Sequence, residues 1–177
     1  MPQHRTDLAT SIDALCRLSG AFTLRSGLEV DEYFDKYRFE AQPELLRRVA
    51  EAMVPLLPSN TDALGGLELG GIPIATMISQ LTGLPARFVR KEAKTYGTCQ
   101  LAEGGELEGL QITLIEDIVT TGGAVRNAAV ALRELGAHVD TVVCVIDRSE
   151  RGANRLHEVG VATRSVLTKQ DLDAVSR

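Results

Sequence analysis

One segment constrains this chain more than any other: Ile112-Thr-Leu-Ile-Glu116-Asp117-Ile-Val-Thr120-Thr121-Gly122-Gly123-Ala124. An apolar run with strand character, Ile112–Glu116, ends in two acids. It passes through a short Thr/Gly loop and opens a helix over about Ala124–Leu135, closed by Gly136. In open α/β sheets, ligands bind beyond the carboxyl ends of the strands. Small loop residues let the backbone approach a phosphate closely. The N–H groups of the loop and the first helical turn then point at the anion, and Thr hydroxyls add donors. Two adjacent carboxylates would repel a bare phosphate. The conflict disappears when the ligand also carries neutral hydroxyls or a metal ion, and a ribose 5-phosphate near Mg²⁺ fits both halves. The competing reading is a plain helix N-cap with charged neighbours.

The rest of the chain repeats this strand–helix rhythm. Thr6 can cap a helix from about Asp7 to Leu18, with Leu8, Ile12, Leu15 and Leu18 as its apolar stripe and Gly20 as its stop. Phe22–Leu24 and about Glu32–Phe39 read as short strands. Pro43 opens a helix from about Glu44 to Leu57. Ala63–Leu67 is a weak strand, Ile72–Leu81 a helix closed by Gly83, and Ala86–Arg90 a strand. Val139–Ile146 is a strand, Arg151–Val159 a helix and Ala162–Leu167 a last strand. Such alternation with short connections implies an α/β fold, a central parallel sheet flanked by helices. With 177 residues, one domain over 1–177 is expected.

The net charge of −5 argues against a broad nucleic-acid-binding face, yet it leaves room for a local cation cluster around a small anion. Three cysteines, Cys16, Cys99 and Cys144, are widely spaced with no CxxC, which points to reduced thiols in a cytoplasmic protein. The N-terminus lacks the apolar stretch of a signal peptide, and no run is long enough to span a membrane. His4, His138 and His157 form no ligand-like cluster.

One connection breaks the rhythm. Between Lys91 and Gly109 the chain is charged, polar and glycine-bearing, and a connection of that kind is usually functional or mobile. At its entrance, Arg90, Lys91 and Lys94 fall within Arg90-Lys91-Glu92-Ala93-Lys94-Thr95-Tyr96-Gly97. Arg and Lys suit a dense anion such as pyrophosphate, although a solvated charged loop reads the same way. Leu64-Gly65-Gly66-Leu67-Glu68-Leu69-Gly70-Gly71-Ile72-Pro73 is a glycine-rich turn. It serves equally for close approach to an anion or as a plain strand–helix turn. Asp147-Arg148 ends another strand at the ligand side, where the pair also reads as a surface ion pair. Tyr33 and Phe34 could flank a ligand, with a core role slightly favoured.

The acid–acid–x–x–Thr–Thr–Gly segment resembles the 5-phosphoribosyl-1-pyrophosphate (PRPP) motif of type I phosphoribosyltransferases. The Arg90–Lys94 string is similar to the Arg-Lys-Glu-Ala-Lys loop of the orotate phosphoribosyltransferases. The likeness extends from Phe22-Thr-Leu24-Arg25-Ser26-Gly27 to about Val166. It implies a type I phosphoribosyltransferase-like fold with a small N-terminal hood, mainly 1–40 plus part of the C-terminal region, over a PRPP-binding core of about 41–165.

It also implies a pentosyltransferase that joins orotate to PRPP with Mg²⁺, the metal held mainly through PRPP rather than by protein ligands. The reading in competition is a phosphoribosyltransferase for another nucleobase or a non-catalytic sensor of PRPP. By resemblance, Glu116 and Asp117 take the ribose hydroxyls and Thr120, Thr121, Gly122, Gly123 and Ala124 the 5′-phosphate. Arg90, Lys91 and Lys94 take the pyrophosphate, with Tyr96 where many relatives carry histidine. The catalytic set is Lys94, Arg90, Lys91 and Asp117. Arg148, Thr120 and Arg25 contact orotate. The same likeness implies a homodimer with shared active sites.

Overall fold

In the computed structural model, the described residues are 3–23, 26–92, 101–149 and 154–176. The chain opens with α1 (Gln3–Cys16), which buries Leu8, Ala9, Ile12 and Cys16. The antiparallel pair β1 (Arg17–Thr23) and β2 (Glu29–Phe34) follows, with Arg17 opposite Phe34. One short turn, α2 (Tyr37–Glu40), leads into α3 (Pro43–Met53). Then come β3 (Ala63–Leu67), α4 (Gly71–Thr82), β4 (Ala86–Val89), β5 (Ala102–Glu103), β6 (Ile112–Val119), α5 (Gly123–Glu134), β7 (Thr141–Asp147), β8 (Ala162–Thr168) and α6 (Lys169–Asp173).

Six strands form one sheet in the order β5-β4-β3-β6-β7-β8. All neighbours are parallel except β4 and β5. A parallel sheet must be covered on both faces, and the two core clusters do this. On one face Leu64, Ile115, Val143 and Val145 pack under α1, α3 and α4, through residues such as Ile12, Val49, Met53, Ile74 and Ile78. On the other, Ile112, Leu114, Val142 and Cys144 pack under Val125, Ala129 and Leu132 of α5. Strand order reverses between β3 and β6, because β4 lies to one side of β3 and β7 to the other side of β6. Their carboxyl ends therefore open a crevice at the switch point.

Several expected elements differ. The first helix ends at Cys16, short of Leu18, because Arg17 already pairs with Glu32 across the ribbon (3.0 Å) while holding Asp13 (2.8 Å). The strand expected through Phe39 stops at Phe34, since Phe39 is fully buried and helical geometry turns it into the core. The strand β6 continues through both acids to Val119, paired to Asp147 of β7. Of the helix expected over Arg151–Val159, the first residues lie outside the described ones, and the described part holds a 3-10 turn, Leu156–Val159, entered through a left-handed Arg155 (φ 39°). Tyr33 is exposed rather than core, with its ring 5.5 Å from that of Phe22. Two short elements were not anticipated: β5, and α6, whose capping box joins Thr168 and Asp171. Among the described residues, no helix is long and apolar enough to cross a membrane.

Candidate active site

The glycine loop after β6 forms the first part of the site. Gly122 adopts a left-handed conformation (φ 74°), and a Cβ there would also meet the Asn154 carbonyl oxygen at 2.7 Å, so the turn requires glycine. It starts α5, whose first amides have no intrahelical acceptor and face the loop. Thr120 and Thr121 stand exposed at its rim. Glu116, together with residues 118–125, lines a hollow of about 150 Å³. This is the shape that the phosphate reading requires. The expected members Glu116, Thr120, Thr121, Gly122, Gly123 and Ala124 converge there.

Asp117 does not share that hollow. Side chains alternate across a strand, so Asp117 points to the opposite face, toward α2 and the β3–α4 turn. It is fully buried. Its Oδ1 accepts from the Ile118 amide at 2.5 Å, and its Oδ2 lies 2.6 Å from Nζ of Lys36. Glu40, also buried, leaves its Oε1 without a hydrogen-bond partner among the described residues. Burial and the neighbouring Asp117 charge push the Glu40 carboxyl up to about 8. Burial, with Asp117 alongside, likewise raises Glu116 well above the usual carboxylate range. Burial alone would raise Asp117 as well. The Glu116 carboxyl beside it and the Lys36 ammonium 2.6 Å away outweigh burial and hold it below the ordinary value. Lys36 answers in kind: burial favours the neutral amine, but Asp117 raises it.

Neither Lys36 nor Glu40 stands out in the sequence, because Lys36 falls in what reads as a strand and Glu40 directly after it. Their spacing of four, a cation and an acid on one helical face, is the signal that could have found them.

The cation string begins where β4 ends. The Arg90 amide donates to the Leu101 carbonyl (2.9 Å), and its Nε is buried with no hydrogen-bond partner among the described residues. The Lys91 amide donates to Glu68 Oε1 at 2.6 Å, so the β3 and β4 ends are tied together. Arg90, Lys91, Glu68 and Asn127 line a cleft of about 490 Å³ that reaches Ala124 at the edge of the hollow. Lys94, Tyr96, Cys99 and Arg25 lie outside the described residues.

Arg148 directly follows β7, its amide donating to the Val119 carbonyl at 2.8 Å. Its guanidinium sits 5.6 Å from the Phe34 ring centroid, a cation–π contact that ties the N-terminal ribbon to the sheet. Asp147 does not neutralise it. The Asp147 carboxylate instead accepts from the Ser149 amide (2.9 Å) and hydroxyl (2.6 Å). Burial pushes the Cys16 thiol up to about 11 and Cys144 higher still, so both are inert packing groups. Among the described residues, no three His, Cys, Asp or Glu side chains are grouped to hold a metal ion.

A glycine loop beside buried acids, at the switch point of a helix-covered parallel sheet, is an arrangement that α/β proteins use for phosphorylated ligands. The family model for the phosphoribosyl transferase domain matches residues 37–171. An orotate phosphoribosyltransferase of Nocardioides sp. is 65% identical over 94% of this chain and 93% of its own. That of Methanocella arvoryzae is 41% identical over 86% of this chain and 87% of its own. The crystal structure of the Mycobacterium tuberculosis orotate phosphoribosyltransferase in complex with PRPP superimposes with a TM-score of 0.79 at 30% identity, covering 96% of this chain and 99% of that one. The chain belongs to the phosphoribosyltransferase family, among its orotate phosphoribosyltransferases.

Proposed function

We propose that this protein transfers the phosphoribosyl group of PRPP to a ring nitrogen of orotate, forming orotidine 5′-monophosphate and pyrophosphate in pyrimidine biosynthesis. The observation that carries the reading is the joining of Glu116 to the Thr120–Ala124 loop around one hollow, with Arg90 and Arg148 at the neighbouring strand ends.

The 5′-phosphate takes the loop amides and the Thr120 and Thr121 hydroxyls, and Glu116 and Asp117, from opposite faces of the strand end, take the ribose hydroxyls. As the bond from C1 to pyrophosphate breaks and the bond to orotate nitrogen forms, positive charge develops on the ribose and negative charge on the leaving group. Arg90, Lys91 and Lys94, with Tyr96 beside them, meet the leaving charge. Arg148 supplies the cation for the orotate carboxylate, with Thr120 and Arg25 beside it. Holding C1 against the ring nitrogen supplies much of the acceleration, and no covalent enzyme intermediate is needed. Mg²⁺, held mainly through PRPP, would offset phosphate charge.

A homodimer sharing its active sites, a cytoplasmic location and a single domain over 1–177 belong to the same reading. Its hood is residues 1–40 with part of the C-terminal region, over a core of about 41–165.

The test is orotate consumption followed by ultraviolet absorbance with purified protein, PRPP and Mg²⁺. PRPP-dependent loss of orotate is expected. No loss, with PRPP binding retained, moves the reading to another nucleobase or to a sensor. Lys94→Ala is expected to lower kcat by about 10²–10³; an unchanged rate removes that lysine from the mechanism.

A further inference from the structure

The strongest unexplained feature is the cluster beneath the N-terminal ribbon. Lys36 immediately precedes α2 and Glu40 ends it, so one turn of chain presents an ammonium and a carboxyl to the same point. That point is Asp117. From the other side the β3–α4 turn brings Gly70 so close that an added Cβ would lie 1.8 Å from Asp117 Oδ2 and 2.6 Å from Glu40 Oε1. At Gly70 there is therefore no room for a side chain beside the acid. Among the described residues, Lys36 is the one cation paired with Asp117.

Three carboxyls so buried and so close cannot all be charged. The remaining charged or titratable groups that face Lys36 and Glu40 are Asp35 and Tyr37, both on the same stretch of chain. The position of one ammonium thus selects which carboxyl keeps the charge. Its 2.6 Å contact selects Asp117, while the Ile118 amide fixes that carboxylate's other oxygen.

We infer that Lys36 is a positioning residue of the phosphoribosyl site: it keeps Asp117 an ionised, fixed acceptor and makes that geometry depend on how the N-terminal ribbon is seated. This rests on the reading that Asp117 accepts from the ribose of PRPP. A carboxylate accepts from a hydroxyl without ambiguity, whereas a protonated acid competes as a donor.

The experiment compares Lys36→Met, Lys36→Arg, Asp117→Asn and the double variant Lys36→Met/Asp117→Asn, by steady-state kinetics in both substrates across pH. Lys36→Met is expected to raise KM for PRPP about 10- to 100-fold, the worth of one charged hydrogen bond. It leaves KM for orotate within about twofold, a split that distinguishes the PRPP site from general damage. The acid limb of kcat/KM for PRPP moves up by about 1–3 pH units, because removing an adjacent cation raises a carboxylate pKa. Lys36→Arg restores most of both.

The double variant is expected to match Asp117→Asn alone, since Lys36 acts through that carboxylate. Losses that multiply instead place Lys36 on PRPP itself and overturn the inference. An effect of Asp117→Asn without one of Lys36→Met also overturns it. If neither substitution changes KM for PRPP, the reading of Asp117 as a ribose contact fails first. Should Lys36→Met not fold, folding restored in the double variant supports the inference, because only the uncompensated charge has been relieved. A double variant that remains unfolded counts against it.

Discussion

Two turns of this protein carry the same signature, a strand running into glycines and then a helix, and they use it in opposite ways. After β6, Gly123 faces open space, with only the Thr121 hydroxyl at 3.7 Å from where its Cβ would be, and the loop walls a hollow. After β3, every glycine is pressed against the protein itself. A Cβ on Gly66 would meet that of Ala75 at 2.8 Å, and one on Gly71 would meet the Ile115 carbonyl oxygen at 2.2 Å. A Cβ on Gly70 would strike the Asp117 carboxylate. One turn keeps room for a ligand. The other gives up its side chains so that α4 and the buried charge pair can approach the sheet. Any role of the β3–α4 turn toward pyrophosphate therefore falls to its backbone, near the exposed Leu69.

Substitution at the closed turn is the most severe way to test that contrast. Gly70→Ala drives a methyl into the buried Asp117 and Glu40 carboxyls and forces Asp117 away from Lys36, which costs about 3–5 kcal/mol. For a chain this size, that lowers Tm by about 10 °C or more. Thermal unfolding checks this, and a Tm within about 2 °C of the parent would mean the cluster is looser than its distances.

Glu40→Gln probes the same cluster from the α2 side. The folded carboxyl is raised from 4.5 to about 8, so the native state binds the extra proton between those values. Its stabilising contribution is complete below 4.5 and is lost as pH rises to about 8. Parent and variant should unfold alike at acidic pH. The variant then gains by about 2–4 kcal/mol by pH 8, with no further change above. A difference in Tm that does not vary with pH contradicts a raised Glu40.

At the open side, Arg148→Ala is expected to raise KM for orotate about 10- to 100-fold while sparing PRPP, the loss of one charged hydrogen bond. Equal losses for both substrates would remove Arg148 from base selection. Gly123→Ala has the smallest expected effect, with stability within about 0.5 kcal/mol. The new methyl nonetheless enters the hollow and raises KM for PRPP about tenfold, roughly the worth of one hydrogen bond. A stability loss as large as that of Gly70→Ala would erase the difference between the two turns.

Much of the architecture was legible because it depends on local pattern. The alternation of apolar runs and amphipathic stretches located β3, α4, β4, α5, β7 and β8 to within a few residues, since each buries one face. The capping box at Thr168 and Asp171 was equally visible and was missed. The segment around Tyr37 was misread. Its apolar and aromatic residues suit a strand, but the burial of Phe39 and the pairing of Lys36 with Asp117 hold it as a helical turn. Propensity is weak over four residues, and tertiary contacts outweigh it.

The sequence by itself determined the alternating strands and helices of the central sheet, the loop at Thr120–Ala124 and the family, because residue spacing and glycine content act on neighbours along the chain. Only the tertiary structure decided that Glu116 faces the hollow while Asp117 is held on the opposite face by Lys36, with Glu40 at the same point. Those partners lie far apart in sequence, and burial, which sets their charges, exists only once the sheet has closed over them.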